Sequence, residues 1–278
     1  MTDDTVIVAA NAAAKKWAYL QATPLGYFLH SAMAGVYVGF GIILIFAIGA
    51  PLSAANSPFT KLVMGASFGV ALSLVIFAGS ELFTGNNMVM TIGVAKRTVS
   101  TKALAAVWIL SFIGNLAGSL FLAWLVMKSG VLGGGAQLTF IQKTVDTKMH
   151  LHMQDLFFRG LLCNWLVCLA VWSAMRSQSD AGKLVMIFWC LFAFIGAGFE
   201  HSVANMTLMG IALLQDHPDT ITWGGFVHNL VPVTLGNIAG GGLFVGGAYW
   251  LGNAKLRLPG SLFPRSEGVE LQAPVAAE

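Results

Sequence analysis

The stretch GSELFTGNNM at residues 79–88 has a counterpart in GFEHSVANM at residues 198–206. Each copy places a carboxylate in the middle of a long apolar stretch. A second shared signature follows each copy, GNLAG at 114–118 and GNIAG at 236–240. The chain is therefore an internal duplication. Paired broken membrane helices in corresponding halves are the best sequence indication of a transport site.

The composition of the 278-residue chain is that of an integral membrane protein. Hydrophobic residues make up 56% and charged residues 10%, and the mean hydropathy is +0.76, whereas a soluble domain carries roughly 25% charged residues. The 32 glycines favour close contacts between membrane helices. The three cysteines, Cys163, Cys168 and Cys190, lie in apolar segments without ligand spacing. We therefore predict neither a disulfide nor a metal site.

Six apolar runs predict an all-α membrane protein with six transmembrane helices. They lie at residues 27–50, 62–95, 103–127, 156–175, 183–214 and 226–251. The predicted channel domain covers 27–252, with repeat one at 27–127 and repeat two at 156–251. Residues 1–26 form an N-terminal amphipathic segment, which either lies at the membrane interface or packs on the bundle. Residues 253–278 form a C-terminal tail.

The positions of the basic residues predict the orientation. Of the 15 lysines and arginines, ten fall on the side of the two termini, four fall on the other side, and Arg159 lies just inside span four. Positive charge accumulates on the cytoplasmic side, so we expect both termini to be cytoplasmic. Three spans per repeat is an odd number. The second repeat must therefore enter the membrane from the opposite side, which gives an inverted 3+3 repeat.

The second and fifth runs are too long for one straight crossing, which takes ~20 residues. Each carries its glutamate motif near the centre, so we predict two broken helices that line one pore. The second half-helices are expected to begin near Met88 and Val203. Their N-terminal ends, which carry partial positive charge, would then face the middle of the membrane and favour an anion.

The two glutamates of the motif, Glu81 and Glu200, oppose an anion if they are charged. We predict that they are structural and accept hydrogen bonds from the amides that the breaks free; a proton-carrying role is the alternative. Asn115 and Asn237 are expected to bridge helices through their amides.

Three further asparagines carry less specific predictions. Asn87 and Asn205 occupy similar places in the two motifs, so we predict that they also bridge helices. Asn164 and Asn205 are also candidates for contact with the permeant.

His201 is the histidine that lies deepest in an apolar span. A neutral imidazole donates a hydrogen bond and a charged imidazole donates a proton. A buried histidine bonded to a backbone carbonyl is the alternative. Because His201 lies within a predicted helix break, we place it in the pore.

Four motifs resemble the formate/nitrite transporter family of bacterial inner-membrane channels. They are GSELFTG at 79–85, CNWLVCLA at 163–170, GFEHSVANM at 198–206 and PVTLGN at 232–237, and the resemblance runs from about residue 24 to 252. It implies an aquaporin-like helical fold, a homopentamer with one pore in each protomer, and passage of small monovalent anions or their acids.

The resemblance also implies roles for individual residues. An outer constriction falls on Phe68 and Phe194, an inner constriction on Leu72, Phe83 and Val167, and a central pair on Thr84 and His201. It places Lys148 near the outer pore mouth, where it would attract the anion. Arg159 could snorkel outward or face a vestibule, and the sequence leaves both open.

Details such as Glu81, Gly85 and the CNW around Asn164 are more similar to the nitrite branch than to the formate branch. Nitrite is therefore the first expectation and formate the alternative. A neutral-solute channel of the aquaporin kind is a third reading, but the broken motifs contain no proline. The sequence has no nucleotide-binding, metal or nucleophile motif, so we predict neither an enzyme nor a cofactor.

The expected mechanism combines attraction of the anion at the mouth with loss of its water at the apolar constriction. Desolvation penalises the charged form, so a neutral acid would cross more easily. His201 would exchange the proton or bond the permeant.

Overall fold

The computed structural model describes residues 3–253, and this part of the chain consists of helices without a strand. The predicted C-terminal tail lies outside the described residues from position 254 onward. In chain order the helices are α1 (Asp3–Ala22), α2 (Pro24–Ala54), α3 (Thr60–Ser67), α4 (Gly69–Phe77), α5 (Phe83–Ala95), α6 (Thr101–Ser129), α7 (Gly135–Met149), α8 (Met153–Arg176), α9 (Asp180–Ala197), α10 (Ser202–Leu213), α11 (Trp223–Ile238), a π-helical segment (Ala239–Gly247) and α12 (Ala248–Gly252).

Six segments of the described chain are long and apolar enough to cross a membrane, which confirms the predicted number. They are α2, α3 with α4, α6, α8, α9, and α11 through α12. The helices α5 and α10 have 13 and 12 residues, which is too short to cross a bilayer alone. Each completes a broken span. The chain is thus an all-α membrane protein with two broken helices, as predicted.

The two halves repeat the same order of elements. In the first half α2 packs along α6, and in the second half α8 packs along α11. A short helix precedes the first span of each half, α1 in one case and α7 in the other. We did not predict α7, because the segment between the two repeats contains polar and charged residues. The repeat unit is therefore one helix longer than the sequence indicated.

One glycine ends the first part of each broken span. Gly79 follows α4 with φ +77° and Gly198 follows α9 with φ +78°. This left-handed conformation is easily adopted only by glycine. The amides of Ser80 and Phe199 return to the carbonyls of Val75 at 3.1 Å and Phe194 at 3.0 Å. These bonds close both helix ends in the same way.

One of the second half-helices begins near its predicted position, and the other begins five residues earlier than predicted. α10 begins at Ser202, one residue before the predicted start. α5 begins at Phe83 rather than at Met88, because the first amide of α5 has a side-chain acceptor that allows an earlier start. Glycine and asparagine at positions 85–87 lie within α5 and do not interrupt it.

The N-terminal segment forms α1, which packs on α5. Its residues Val6, Ala9, Ala10 and Ala13 are buried. The Thr98 hydroxyl donates to the carbonyl of Ala10 at 3.0 Å. Of the two alternatives for this segment, the structure therefore shows packing on the bundle.

Candidate functional site

Two vestibules and a small pocket follow one path through the protein. The α7-side vestibule, of about 370 Å³, is lined by residues that include Ser53, Arg159 and Glu200. The α1-side vestibule, of about 440 Å³, is lined by residues that include His30 and Glu81. Because His30 and Ser53 lie near opposite ends of the membrane-spanning α2, the vestibules open toward opposite sides.

Between the vestibules lies a central pocket of about 10 Å³, which is about the space that one water needs. Its lining is apolar except for one imidazole; the residues are Val38, Phe68, Ala71, Leu72, Leu82, Val167, Leu191, Phe194 and His201. A charged group in such surroundings loses its hydration without an equivalent replacement. The pocket is therefore a barrier for an ion.

Four of the five residues predicted for the constrictions line the central pocket: Phe68, Phe194, Leu72 and Val167. The rings of Phe68 and Phe194 stand edge to face, with centroids 5.6 Å apart. Phe83, the fifth predicted residue, does not line the central pocket. Its ring stands edge-on to Phe112, with centroids 5.2 Å apart, and its neighbour Leu82 lines both the central pocket and the α1-side vestibule.

His201 and Thr84 meet at the centre of the protein. The Nε2 atom of His201 lies 3.0 Å from Oγ1 of Thr84, and both side chains are buried. The Nδ1 atom of His201 accepts the amide of Ala204 at 3.1 Å and so caps α10. A neutral imidazole with an accepting Nδ1 carries its proton on Nε2. Nε2–H therefore donates to the Thr84 hydroxyl.

The ring of His201 also packs against the ring of Phe194. It lies parallel to the ring of Phe194, with centroids 6.1 Å apart. One ring edge thus belongs to the polar pair with Thr84, while one face contacts an apolar wall of the central pocket.

Two asparagines hold the breaks closed. The Oδ1 of Asn115 accepts the amide of Phe83 at 2.9 Å, and the Oδ1 of Asn237 accepts the amide of Ser202 at 2.9 Å. The amide nitrogen of Asn115 donates to the carbonyls of Ser31 and Glu81. Asn237 donates in the same way to the carbonyls of Gly160 and Glu200. Each side chain thus joins a break to two neighbouring spans.

The glutamates differ from the prediction. Glu81 accepts from Lys16 at 2.7 Å, from Tyr27 at 2.9 Å and from Asn86 at 3.2 Å. These donors are side chains, so Glu81 does not cap the freed amides. The asparagines already satisfy the first amide of each half-helix, which leaves the carboxylate to a cation.

The second half repeats this arrangement. Glu200 accepts from Lys148 at 2.7 Å and from Asn205 at 2.6 Å. The residue that corresponds to Asn205 is therefore Asn86, not Asn87 as we predicted. A glutamate followed five residues later by an asparagine, in both motifs, was the signal for this pair. No pattern in the sequence indicated the partners Lys16 and Tyr27.

Lys148 lines the α7-side vestibule, but its charge is compensated. Its ammonium lies 2.7 Å from both carboxylate oxygens of Glu200. The side chains are 18% and 3% exposed, so water does not separate the pair. Its predicted role as a free attracting charge therefore does not fit this geometry.

The remaining asparagines separate into two kinds. Asn164 is fully buried, and its amide nitrogen reaches the carbonyls of Thr84 at 3.1 Å and Asn237 at 2.6 Å. It bridges helices from the two halves and does not fit contact with a permeant. Asn205 lines the α7-side vestibule beside Glu200 and also donates to Asn229 at 2.8 Å.

Within residues 3–253, no group of three histidine, cysteine, aspartate or glutamate side chains is placed to hold a metal ion. The three cysteines are free and buried.

A membrane protein with two inverted halves, two facing helix breaks and a pore between them is a transporter or channel. The sequence model of the formate/nitrite transporter family matches residues 3–251, and the chain belongs to this family. The nitrite transporter NirC of Escherichia coli (strain K12) is 46% identical over 263 residues, which cover 93% of this chain and 94% of the relative.

Solved structures of the same kind share the fold. A structure described as an FNT family ion channel has a TM-score of 0.86 and 45% identity, covering 91% of this chain and all of that chain. A second, described as a pentameric formate channel with formate bound, has a TM-score of 0.72 and 30% identity, covering 84% of this chain and 98% of that chain.

Proposed function

We propose that this protein is a pore for small monovalent anions and that nitrite is its main substrate. Formate is the alternative. The observation that carries the proposal is His201, which is bonded to Thr84 and lines an apolar pocket between two vestibules. The similarity to nitrite transporters over nearly the whole chain supports nitrite first, and the similarity to a formate channel supports the alternative.

The permeant crosses the central pocket as a neutral acid. The apolar pocket walls replace little of the hydration that an ion loses, whereas a neutral acid loses less on entering. The anion therefore takes up a proton in the vestibule and releases it on the far side. This proton transfer needs no covalent step and no cofactor.

His201 bonds the permeant in this mechanism and does not exchange its proton. The amide of Ala204 occupies the lone pair of Nδ1, so a second proton there would displace the cap of α10. The Nε2–H edge of the imidazole, which the Thr84 hydroxyl orients, remains. It gives an acid a hydrogen-bonding partner in an otherwise apolar passage.

The assembly and location follow the family. We propose a homopentamer with one pore in each protomer, placed in the bacterial inner membrane with both termini in the cytoplasm. The α7-side vestibule would then face outward. We propose transport without catalysis, with the bilayer, the anion and the proton as the partners of the chain.

Stopped-flow swelling of proteoliposomes tests the function. We expect fast swelling in nitrite, slower swelling in formate, and none in sucrose or glycerol. Protein-free liposomes give the background from acid diffusion. Faster swelling in formate than in nitrite would favour the alternative, and swelling in glycerol alone would contradict an anion pore.

A further inference from the structure

We propose that Arg159 is the anion-binding residue of the α7-side vestibule. The inference rests on the proposed function, since it assigns a binding residue to the same pore. Its ligand class is a small planar monoanion with two oxygens, such as nitrite or formate. The guanidinium would hold the anion before it enters the central pocket.

The charges around the α7-side vestibule lead to this assignment. Lys143, Lys148, Arg159 and Glu200 line it. The carboxylate of Glu200 compensates Lys148 at 2.7 Å. Within the described residues Arg159 belongs to no ion pair. Arg159 and the exposed Lys143 therefore supply the excess positive charge.

The position of Arg159 is fixed by the helix break. Its carbonyl accepts the amide of Glu200 at 3.2 Å, and Glu200 directly precedes the pore histidine. The next residue, Gly160, provides the carbonyl that accepts from Asn237 at 2.7 Å. Arg159 is partly buried. The backbone that carries the Arg159 side chain is thus held in place beside the helix break, whereas Lys143 lies on the exposed side of α7.

The guanidinium group matches the proposed ligand. It is planar and presents parallel N–H donors that bind two oxygens of an anion at once. It is also more weakly hydrated than an ammonium group, so it loses less when a vestibule partly excludes water.

The other half of the chain shows what occupies the equivalent position. The amide of Glu81 donates to the carbonyl of His30 at 3.2 Å, as Glu200 does to Arg159. His30 lines the α1-side vestibule, next to the ion pair of Lys16 and Glu81. The repeat thus directs a basic side chain into each vestibule. At the equivalent position the α7 side has an arginine, whose charge is permanent, and the α1 side has a histidine.

The test compares Arg159→Gln and Arg159→Lys with the wild type in proteoliposomes. Lys61→Gln is the matched control, because it removes an exposed cation expected on the same side that does not line the described vestibule. We expect Arg159→Gln to raise the KM for nitrite uptake about tenfold, as loss of a charge-assisted hydrogen bond does. The KM of Arg159→Lys should lie between those of the wild type and Arg159→Gln, and the maximal uptake rate should change little in either variant.

Binding without transport provides the second measurement. Nitrite should raise the Tm of the purified wild type and of Lys61→Gln, because a ligand that binds the folded state stabilises it. It should not raise the Tm of Arg159→Gln. Equal shifts in all variants, or none in the wild type, would overturn the assignment. Absence of wild-type uptake in the presence of these Tm shifts would instead contradict the proposed function.

Discussion

The Nε2 atom of His201 lies 3.0 Å from the Oγ1 atom of Thr84, and this contact joins the two halves of the chain at the pore. Thr84 is the second residue of α5, and His201 is the N-cap of α10. Both half-helices thus direct their N-terminal ends, which carry partial positive charge, toward the same point. In the proposed function, the permeant meets this point in the apolar central pocket.

Replacing His201 separates hydrogen bonding from proton exchange. His201→Asn retains a capping oxygen and an N–H donor, so we expect uptake within roughly tenfold of wild type and an unchanged dependence on external pH. His201→Phe removes both groups and should cost about 1 kcal/mol of stability with a larger loss of uptake. Nitrite uptake measured between pH 5 and 8 checks this. A flat pH profile in the Asn variant would show that the imidazole carries the proton.

Phe194 lines both the α7-side vestibule and the central pocket. Phe194→Ala should join the two spaces, so that glycerol, excluded by the wild type, enters the proteoliposomes. Loss of the ring should destabilise the protein by about 3–5 kcal/mol. Phe40→Ala is the control, because Phe40 is 46% exposed on α2. If glycerol remains excluded from a folded Phe194→Ala protein, the ring pair is not the barrier.

Lys148 and Glu200 should behave as a unit. Lys148→Met leaves a carboxylate that is 3% exposed without its cation, which we expect to cost about 3–5 kcal/mol. Adding Glu200→Gln should restore most of the lost stability, as measured by Tm. The control is Lys183→Met, whose partner Asp180 is 74% exposed and whose pair should contribute about 0–1 kcal/mol.

The alternative role of Lys148 predicts a different result. If Lys148 acts as a long-range attracting charge, Lys148→Met should leave the Tm unchanged and should reduce the uptake rate mainly at low salt. At physiological ionic strength, salt screens the field of an exposed charge beyond ~8 Å. Uptake across ionic strength therefore distinguishes the ion pair from the free charge.

Gly198 and Gly196 form a matched pair for the helix break. Gly198→Ala places a side chain at φ +78°, which should cost about 1–2 kcal/mol. Gly196→Ala has open space around the added methyl, lies in α9 and should be neutral or stabilising by up to about 1 kcal/mol. Thermal unfolding in detergent compares the two. Equal Tm values would contradict a strained turn at Gly198.

The sequence predicts the membrane architecture because length and hydropathy determine it. A bilayer requires apolar runs of a certain length, and two runs exceeded that length at the duplicated motif. The same criterion misses α7, because a helix that does not cross the membrane need not be apolar. Lys148 of α7 was singled out in the sequence, but its ion pair with Glu200 was not predicted, because Glu200 was expected to accept hydrogen bonds from backbone amides.

The sequence does not show how a helix is rotated about its own axis, and this explains the wrong assignment of Phe83 to the pocket lining. Leu82 and Phe83 are adjacent apolar residues, and no sequence pattern shows which one faces the pocket. Spans that are apolar on all sides have little periodicity to indicate a preferred face. Thr84 and His201 were predicted because they lie in the quoted motifs, and Phe68 and Phe194 were assigned from the family resemblance. Lys16 and Tyr27 lie outside every motif.

The hydrogen bonds that Asn115 and Asn237 form at the two breaks also limit the order in which this chain can fold as it is synthesised. The Phe83 amide finds its acceptor on α6, and the Ser202 amide finds its acceptor on α11. Neither broken span can complete its polar bonds until the third span of its own half has been synthesised, and lipid offers no substitute. The first half can nevertheless form its bond between Phe83 and Asn115 while the second half is still being translated. Biogenesis would then proceed in two insertion steps, and the conducting path would form last, when His201 reaches Thr84.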